Sequence, residues 1–226
     1  MLLTTLKEAK SNLDREGWAQ HAEIRKALMA HHSLSNDEVT QSLSRIHSSV
    51  PKEKQEYVKR VNTEFVRMTG GKGRESAKTI EQTDSRAHAD LDDRSINIGG
   101  GLRSEIFHEL GHHIEFNNLA FNKAAIDFRA ARATSDKPEH LSILTGKLTY
   151  SSREKALPGN FIAPYVGKVY PGTEKEKMYA GSKFFQPTEV ISMGIKNFGS
   201  EVSMYHFHRK DPEHFHLILG MMLAKP

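Results

Sequence analysis

The chain has 226 residues, 37% of them apolar and 27% charged, with 8 Pro, 16 Gly, one Trp and no Cys. That length suits one embellished domain or two small ones, and the composition excludes a disordered or collagen-like chain. The lack of cysteine excludes disulfides, cysteine-type zinc sites, iron–sulfur clusters and a thiol nucleophile. The longest apolar stretch, 215–224, is broken by His216 and is about half of what a bilayer span needs. The first residues carry no signal-peptide pattern, so neither a membrane partner nor secretion is expected. The net charge of +4 comes from interspersed basic and acidic residues, the pattern of solvated helix faces. It is not a phosphate-tracking stripe, and nucleic acid is not expected as a partner. The 13 histidines are the compositional oddity.

In chain order, Leu2, Leu3, Leu6, Ala9 and Leu13 recur at helical spacing, and Trp18, Ala22, Ile24 and Leu28 continue the pattern beyond Gly17. Ser35 with Glu38 has the spacing of a capping box and opens a third helical stretch, with Val39, Leu43 and Ile46 on one face. Pro51 starts another, carrying Tyr57, Val61, Phe65 and Met68, which ends at Gly70-Gly71. A helical N-terminal segment over 1–70 is therefore expected, followed by a domain of different character over 71–226. There the alternation at 94–98 predicts a strand, closed by Gly99-Gly100-Gly101. Helices are predicted at 102–116, with Leu102, Ile106, Leu110 and Ile114 on one face, and at 119–134, with Phe121, Ala125 and Phe128. Residues 135–187 read as loops and short strands, and two further helices are predicted at 188–198 and 212–223. The fold class is α+β, with helices outnumbering strands and a small sheet beside the central helix.

Residues 108–112 in that helix spell H-E-x-x-H. Positions i and i+4 stand one above the other on an α-helix, so His108 and His112 can share one metal ion. Glu109 points toward the same edge, placed to hydrogen-bond a metal-bound water. The strand just upstream can present a sheet edge to an extended peptide.

This motif resembles that of the zincin metallopeptidases. The metzincin branch fails, because Glu115 stands where that pattern needs Gly and Asn118 where it needs a third His. Zincins of the gluzincin type take the third ligand from a Glu on a later helix, and Glu189, just after Pro187 and in the first turn of the predicted 188–198 helix, is the best candidate. A rival lies in 172–181, loosely similar to the aspzincin signature. There Glu176 and Tyr179 keep the carboxylate-to-tyrosine step, but the Asp is replaced and the spacing differs, with Glu174 a further candidate. Together with 159–170, 188–194 and 211–220, the motif resembles metallopeptidase-like domains of bacteriophage and prophage proteins associated with head morphogenesis, over roughly 90–226.

The resemblance implies a zinc-dependent peptidase with Zn2+ on His108, His112 and Glu189, and with Glu109 as base and acid through a metal-bound water. Its implied role is that of an effector, toxin-like or processing protease, cytoplasmic or phage-delivered. The implied partners are a protein or peptide substrate and a phage head or carrier protein. Tyr165, Tyr170 and Tyr179 are candidate oxyanion donors, and Ser192 a candidate for orienting a ligand histidine. From a different class, the chain reads as a phage structural or binding module whose zinc only stiffens the fold. His113 points about 100° away from His112 and reads as a packing residue. The His-x-His pairs at 206/208 and 214/216 suit a second metal only in strands, whereas 212–223 reads as helix. The N-terminal segment has three readings: it docks on a carrier, covers the cleft, or completes the core.

Overall fold

The structure, a computed structural model, describes residues 2–72, 77–170 and 186–225, with side chains from Asp14 onward. It is an α+β fold. The N-terminal part holds α1 (Leu2–His31), α2 (Asn36–Ser42), β1 (Arg45–Ile46) and α3 (Lys52–Thr69). β2 (Thr79–Glu81), β3 (His88–Asp90) and β4 (Ser95–Asn97) precede the long central helix α4 (Arg103–Asn117) and α5 (Leu119–Arg132). Then come β5 (Glu139–His140), α6 (Leu141–Thr145), β6 (Lys155–Ala156), a 3-10 turn (Pro164–Gly167) and β7 (Lys168–Val169). The chain closes with α7 (Val190–Asn197), α8 (Glu201–Lys210) and α9 (Pro212–Leu223). No helix among the described residues is long and apolar enough to cross a membrane.

Local chemistry sets several of these boundaries. Ser35 and Glu38 form the full capping box of α2: Ser35 Oγ accepts from the Glu38 N–H, and Glu38 Oε2 accepts from the Ser35 N–H at 2.8 Å. α3 follows Pro51 and ends at Gly70, whose φ of 64° is the left-handed conformation that glycine adopts without a Cβ clash. The helix predicted through Ile46 stops at Ser42 instead. Beyond it Arg45 and His47 donate to the carbonyls of Lys78 and Ile80, making a strand inside the segment expected to be helical.

The main sheet runs in the order β1-β2-β4-β3, parallel except for β3. β4, the strand predicted to lie at the edge, is therefore interior, and β3 is the edge that faces the cleft. α4 packs against this sheet on one side and α7 on the other, burying Ile106, Phe107, Leu110 and Ile114. Leu102, predicted on the same apolar face, caps the helix instead and is 62% exposed. Phe65 of α3 meets Phe107 edge-to-face at 5.3 Å. Glu64 of α3 pairs with Arg25 of α1 and with Arg103 of α4, fastening the N-terminal helices to the central one. These helices complete the core; no described residue before Gln82 lines the cleft.

Two histidines act as buried struts. His113 Nε2–H donates to the Ser95 carbonyl at 3.1 Å, joining α4 to β4, and His214 Nε2–H donates to the Val190 carbonyl at 2.8 Å, joining α9 to the start of α7. The helical conformation of 201–210 and 212–223 sends His206 and His208, and His214 and His216, apart in pairs. Burial pushes both struts down to about 4 from the ordinary 6.5. Between those values the unfolded chain binds the protons that the folded chain refuses. Stability from the neutral rings is thus complete above about 6.5 and is lost as pH falls toward 4, by up to roughly 3 kcal/mol for each ring. Urea midpoints are expected to drop steeply from pH 7 to pH 5, and less steeply in His214→Gln.

Candidate metal centre

α4 places His108 and His112 one turn apart, with their rings edge-to-face at 5.0 Å. Glu189 comes from the start of α7, where it occupies the cap position rather than the first turn. The two helices run antiparallel at very close range: a Cβ on Gly111 would lie 2.9 Å from Ser192 Cα. Only glycine allows that approach, and it delivers Glu189 to the histidines.

Glu189 Oε2 lies 3.3 Å from His108 Nε2 and 3.3 Å from His112 Nε2. All three donors lie within 4.8 Å of one another, and the carboxylate is 1% exposed, so this group can hold a metal ion. A tetrahedral metal ion with bonds of about 2.0–2.1 Å separates adjacent donors by about 3.3–3.4 Å, which the two 3.3 Å distances from Glu189 to the histidines match. The structure thus brings His108, His112 and Glu189 together with Glu109, whose Oε1 is 4.0 Å from His108 Nε2. Glu174, Glu176 and Tyr179 lie outside the described residues.

The electrostatics follow from burial and from this proximity. Burial lowers His108 to about 3. His112 also suffers burial, but the Glu189 carboxylate overrides it and holds the imidazole up at about 9. Against its own burial, Glu189 is held well below the usual carboxylate range by His112, His108 and the Tyr170 hydroxyl. Burial pushes the Glu109 carboxyl up to about 7.

Further residues hold Glu189 in place. Tyr170 Oη donates to its Oε1 at 2.5 Å, and Ser192 Oγ donates to its Oε2 at 2.8 Å. Ser192 therefore orients the carboxylate through its hydroxyl, while its backbone carbonyl bears on the His108 imidazole, as expected of it from the sequence. Lys168 Nζ stands 3.8 Å from Oε1. Behind them, the fully buried Glu115 accepts from Thr188 Oγ1 at 2.7 Å, from the Thr188 N–H at 3.2 Å and from Asn122 Nδ2 at 2.9 Å. Asn122 also donates to the Gln186 carbonyl. This clasp ties the residues just before Glu189 to α4 and α5. Sequence reasoning missed Glu115 and Lys168 as parts of the site. The one signal for Glu115 was its place three residues after His112, on a neighbouring helix face.

The donors open on a cleft of about 1380 Å3, walled by β3 with its preceding loop, by the 3-10 turn with β7, and by α7. In the 3-10 turn, Tyr165 Oη accepts from Lys168 Nζ at 2.8 Å and from Arg86 Nη2 at 3.2 Å. Its ring lies 6.4 Å from that of His108. Comparison of the chain with protein-family models, with curated proteins and with solved structures finds no match.

Proposed function

We propose that the chain is a zinc metallopeptidase of zincin type, gluzincin-like, with His108, His112 and Glu189 as zinc ligands and Glu109 as general base and acid. One observation carries this reading. Three protein donors, not four, converge among the described residues, and they open on a cleft with a buried carboxyl beside them. Structural zinc sites close with four protein ligands, whereas catalytic sites leave one position open. Zinc bound there supplies Lewis acidity, which makes a water molecule acidic near neutrality and polarises a carbonyl oxygen.

The remaining work falls to the chain. Glu109 takes up the proton of the attacking water at a carboxylate oxygen and passes it to the leaving nitrogen. A carboxyl that burial raises to about 7 can do both near neutral pH. The free edge of β3 offers backbone N–H and C=O groups to an extended peptide running along the cleft. An edge strand beside the metal helix and a ligand Glu from a later helix both accord with the zincin resemblance. The resemblance to phage-borne domains extends the reading to an effector or processing protease of a phage or prophage, acting on a protein or peptide.

The candidate tyrosines Tyr165 and Tyr170 both bear on Glu189 but differ in their other partners. The Tyr170 hydroxyl proton is committed to Glu189, so Tyr170 orients a ligand. Tyr165 Oη accepts from two cationic groups, which polarise its O–H as a donor toward developing negative charge. Tyr165→Phe is expected to lower kcat about a hundredfold with the smaller loss of zinc affinity, whereas Tyr170→Phe, which removes the 2.5 Å bond to Glu189, weakens zinc binding about tenfold or more. Competition titration with a chromogenic chelator, run beside peptide turnover, checks both.

The test of the reading is metal-dependent cleavage. The zinc-loaded protein is expected to cut a mixed peptide library, to stop after phenanthroline treatment and dialysis, and to resume on adding zinc. If the zinc-loaded protein cleaves nothing, the peptidase reading fails and the non-catalytic phage structural or binding module takes its place.

A further inference from the structure

Four basic and four acidic side chains line the cleft. Of the acids, Glu109 and Glu189 belong to the metal centre, Glu105 is engaged by the Leu102 N–H at 2.9 Å, and Asp84 sits exposed in the loop before β3. Of the bases, Arg86 and Lys168 both pair with Glu154, at 3.4 and 3.5 Å. Lys147 sits exposed at the rim. Lys196 differs from all of these. It is half-buried, lines the cleft and has no hydrogen-bond or ion-pair partner for its ammonium among the described residues.

Its place on α7 is set by the same packing that sets Glu189. Glu189, Met193 and Lys196 follow one another at helical spacing, and all three line the cleft. Because α4 and α7 run antiparallel through the contact of Gly111 with Ser192, the turn of α7 that carries Lys196 lies alongside the turn of α4 that carries His108. Lys196 stands seven residues from Glu189, roughly 10 Å along the helix axis. An extended peptide covers that distance in about three residues.

An ammonium beside a cation site opposes metal binding, and no described carboxylate lies within ion-pair distance of Lys196 to offset that cost directly. An anionic group arriving with the substrate does offset it, and neutral or cationic peptides are then disfavoured. We propose that Lys196 is a specificity residue that pairs with a carboxylate of the peptide substrate, within about three residues of the bond that is cut. The proposal rests on the peptidase reading. Its carboxylate has two sources, an Asp or Glu side chain or the C-terminus of the peptide.

Synthetic peptides separate them. A bond cut in the mixed library is rebuilt in short peptides carrying Glu or Gln at each of the three positions on either side, each with a free or amidated C-terminus. Wild-type protein is expected to favour Glu over Gln at one position by about fivefold in kcat/KM, the scale of one partly exposed ion pair. A preference for the free terminus over the amide assigns the carboxylate to the chain end instead. Lys196→Met is expected to lose the preference, and Lys196→Glu to reverse it toward a Lys-bearing peptide, with the zinc content of both variants measured alongside. The same ratios are read without turnover by fluorescence anisotropy of labelled peptides on the Glu109→Gln protein. Equal handling of Glu, Gln and amidated peptides by wild type, or a preference that survives in Lys196→Glu, overturns the proposal while continued cleavage leaves the peptidase reading standing. If wild type cleaves nothing but Lys196-dependent binding of acidic library peptides persists, the peptidase reading fails and the carboxylate site stands. If neither cleavage nor such binding is seen, both fail.

Discussion

Glu109→Gln is expected to lower kcat by about a hundred- to ten-thousand-fold and to leave zinc bound. The amide keeps the shape and volume of a side chain that is 5% exposed, so the core around α4 is undisturbed. What it removes is the ability to take a proton. Glu109 is one residue from His108 on α4, and its Oε1 stands 4.0 Å from the His108 Nε2. That places it beside the donor triad rather than within it. Steady-state turnover of a cleaved peptide and zinc content by elemental analysis check the two halves. Undiminished turnover would remove Glu109 from the chemistry, and loss of zinc would make it a ligand.

Glu189→Gln carries the second large effect, a fall in zinc affinity of about a thousandfold or more, because a neutral amide oxygen is a poor zinc ligand. It also changes proton release. In the metal-free protein the carboxylate holds His112 up at about 9, so at pH 7 the imidazole carries a proton that zinc must displace. Wild type is expected to release about one proton on taking up zinc at pH 7, with affinity rising as pH climbs toward 9. The variant lacks the carboxylate that raises His112 and releases fewer. Calorimetric titration in buffers of different ionisation enthalpy measures both quantities.

The parts of this fold that were legible in the sequence are those set by local chemistry. The two histidines of the central helix need only the helical repeat to meet. Ser35 with Glu38, Pro51 and Gly70 mark helix ends through contacts within a few residues. α9 begins at Pro212, with Asp211 Oδ1 accepting from the His214 N–H. What stayed hidden depends on distant partners. β1 has two residues and exists because residues 78–80 lie alongside it. α8 was disguised by Tyr205-His206-Phe207-His208, where aromatic residues alternate with histidines as in a strand, while its helix buries Met204, Tyr205 and Phe207 together. The interior position of β4 depends on β3 folding back against it across Asp90–Ser95 pairing, which no local pattern announces.

The candidate site divides in the same way. Glu189 could be named from its place after Pro187 on a predicted helix, but the groups that fix its carboxylate could not. Tyr170 and Lys168 reach it from β7 and the residue following it, and the Glu115–Thr188 contact joins residues 73 apart in sequence. Gly111 is explained only by the antiparallel neighbour that it admits. The N-terminal helices, ambiguous among three roles as sequence, contribute Val58, Val61, Phe65 and Met68 to the core, and none of their described residues lines the cleft.

Anomalous scattering from a zinc-soaked crystal, recorded on both sides of the zinc absorption edge, is the most direct measurement. One peak is expected between the Nε2 atoms of His108 and His112 and Oε2 of Glu189, about 2.0–2.2 Å from each. No peak there at saturating zinc, or a peak held by other side chains while Glu189 keeps its bonds to Tyr170 and Ser192 alone, would contradict the metal centre and every step built on it.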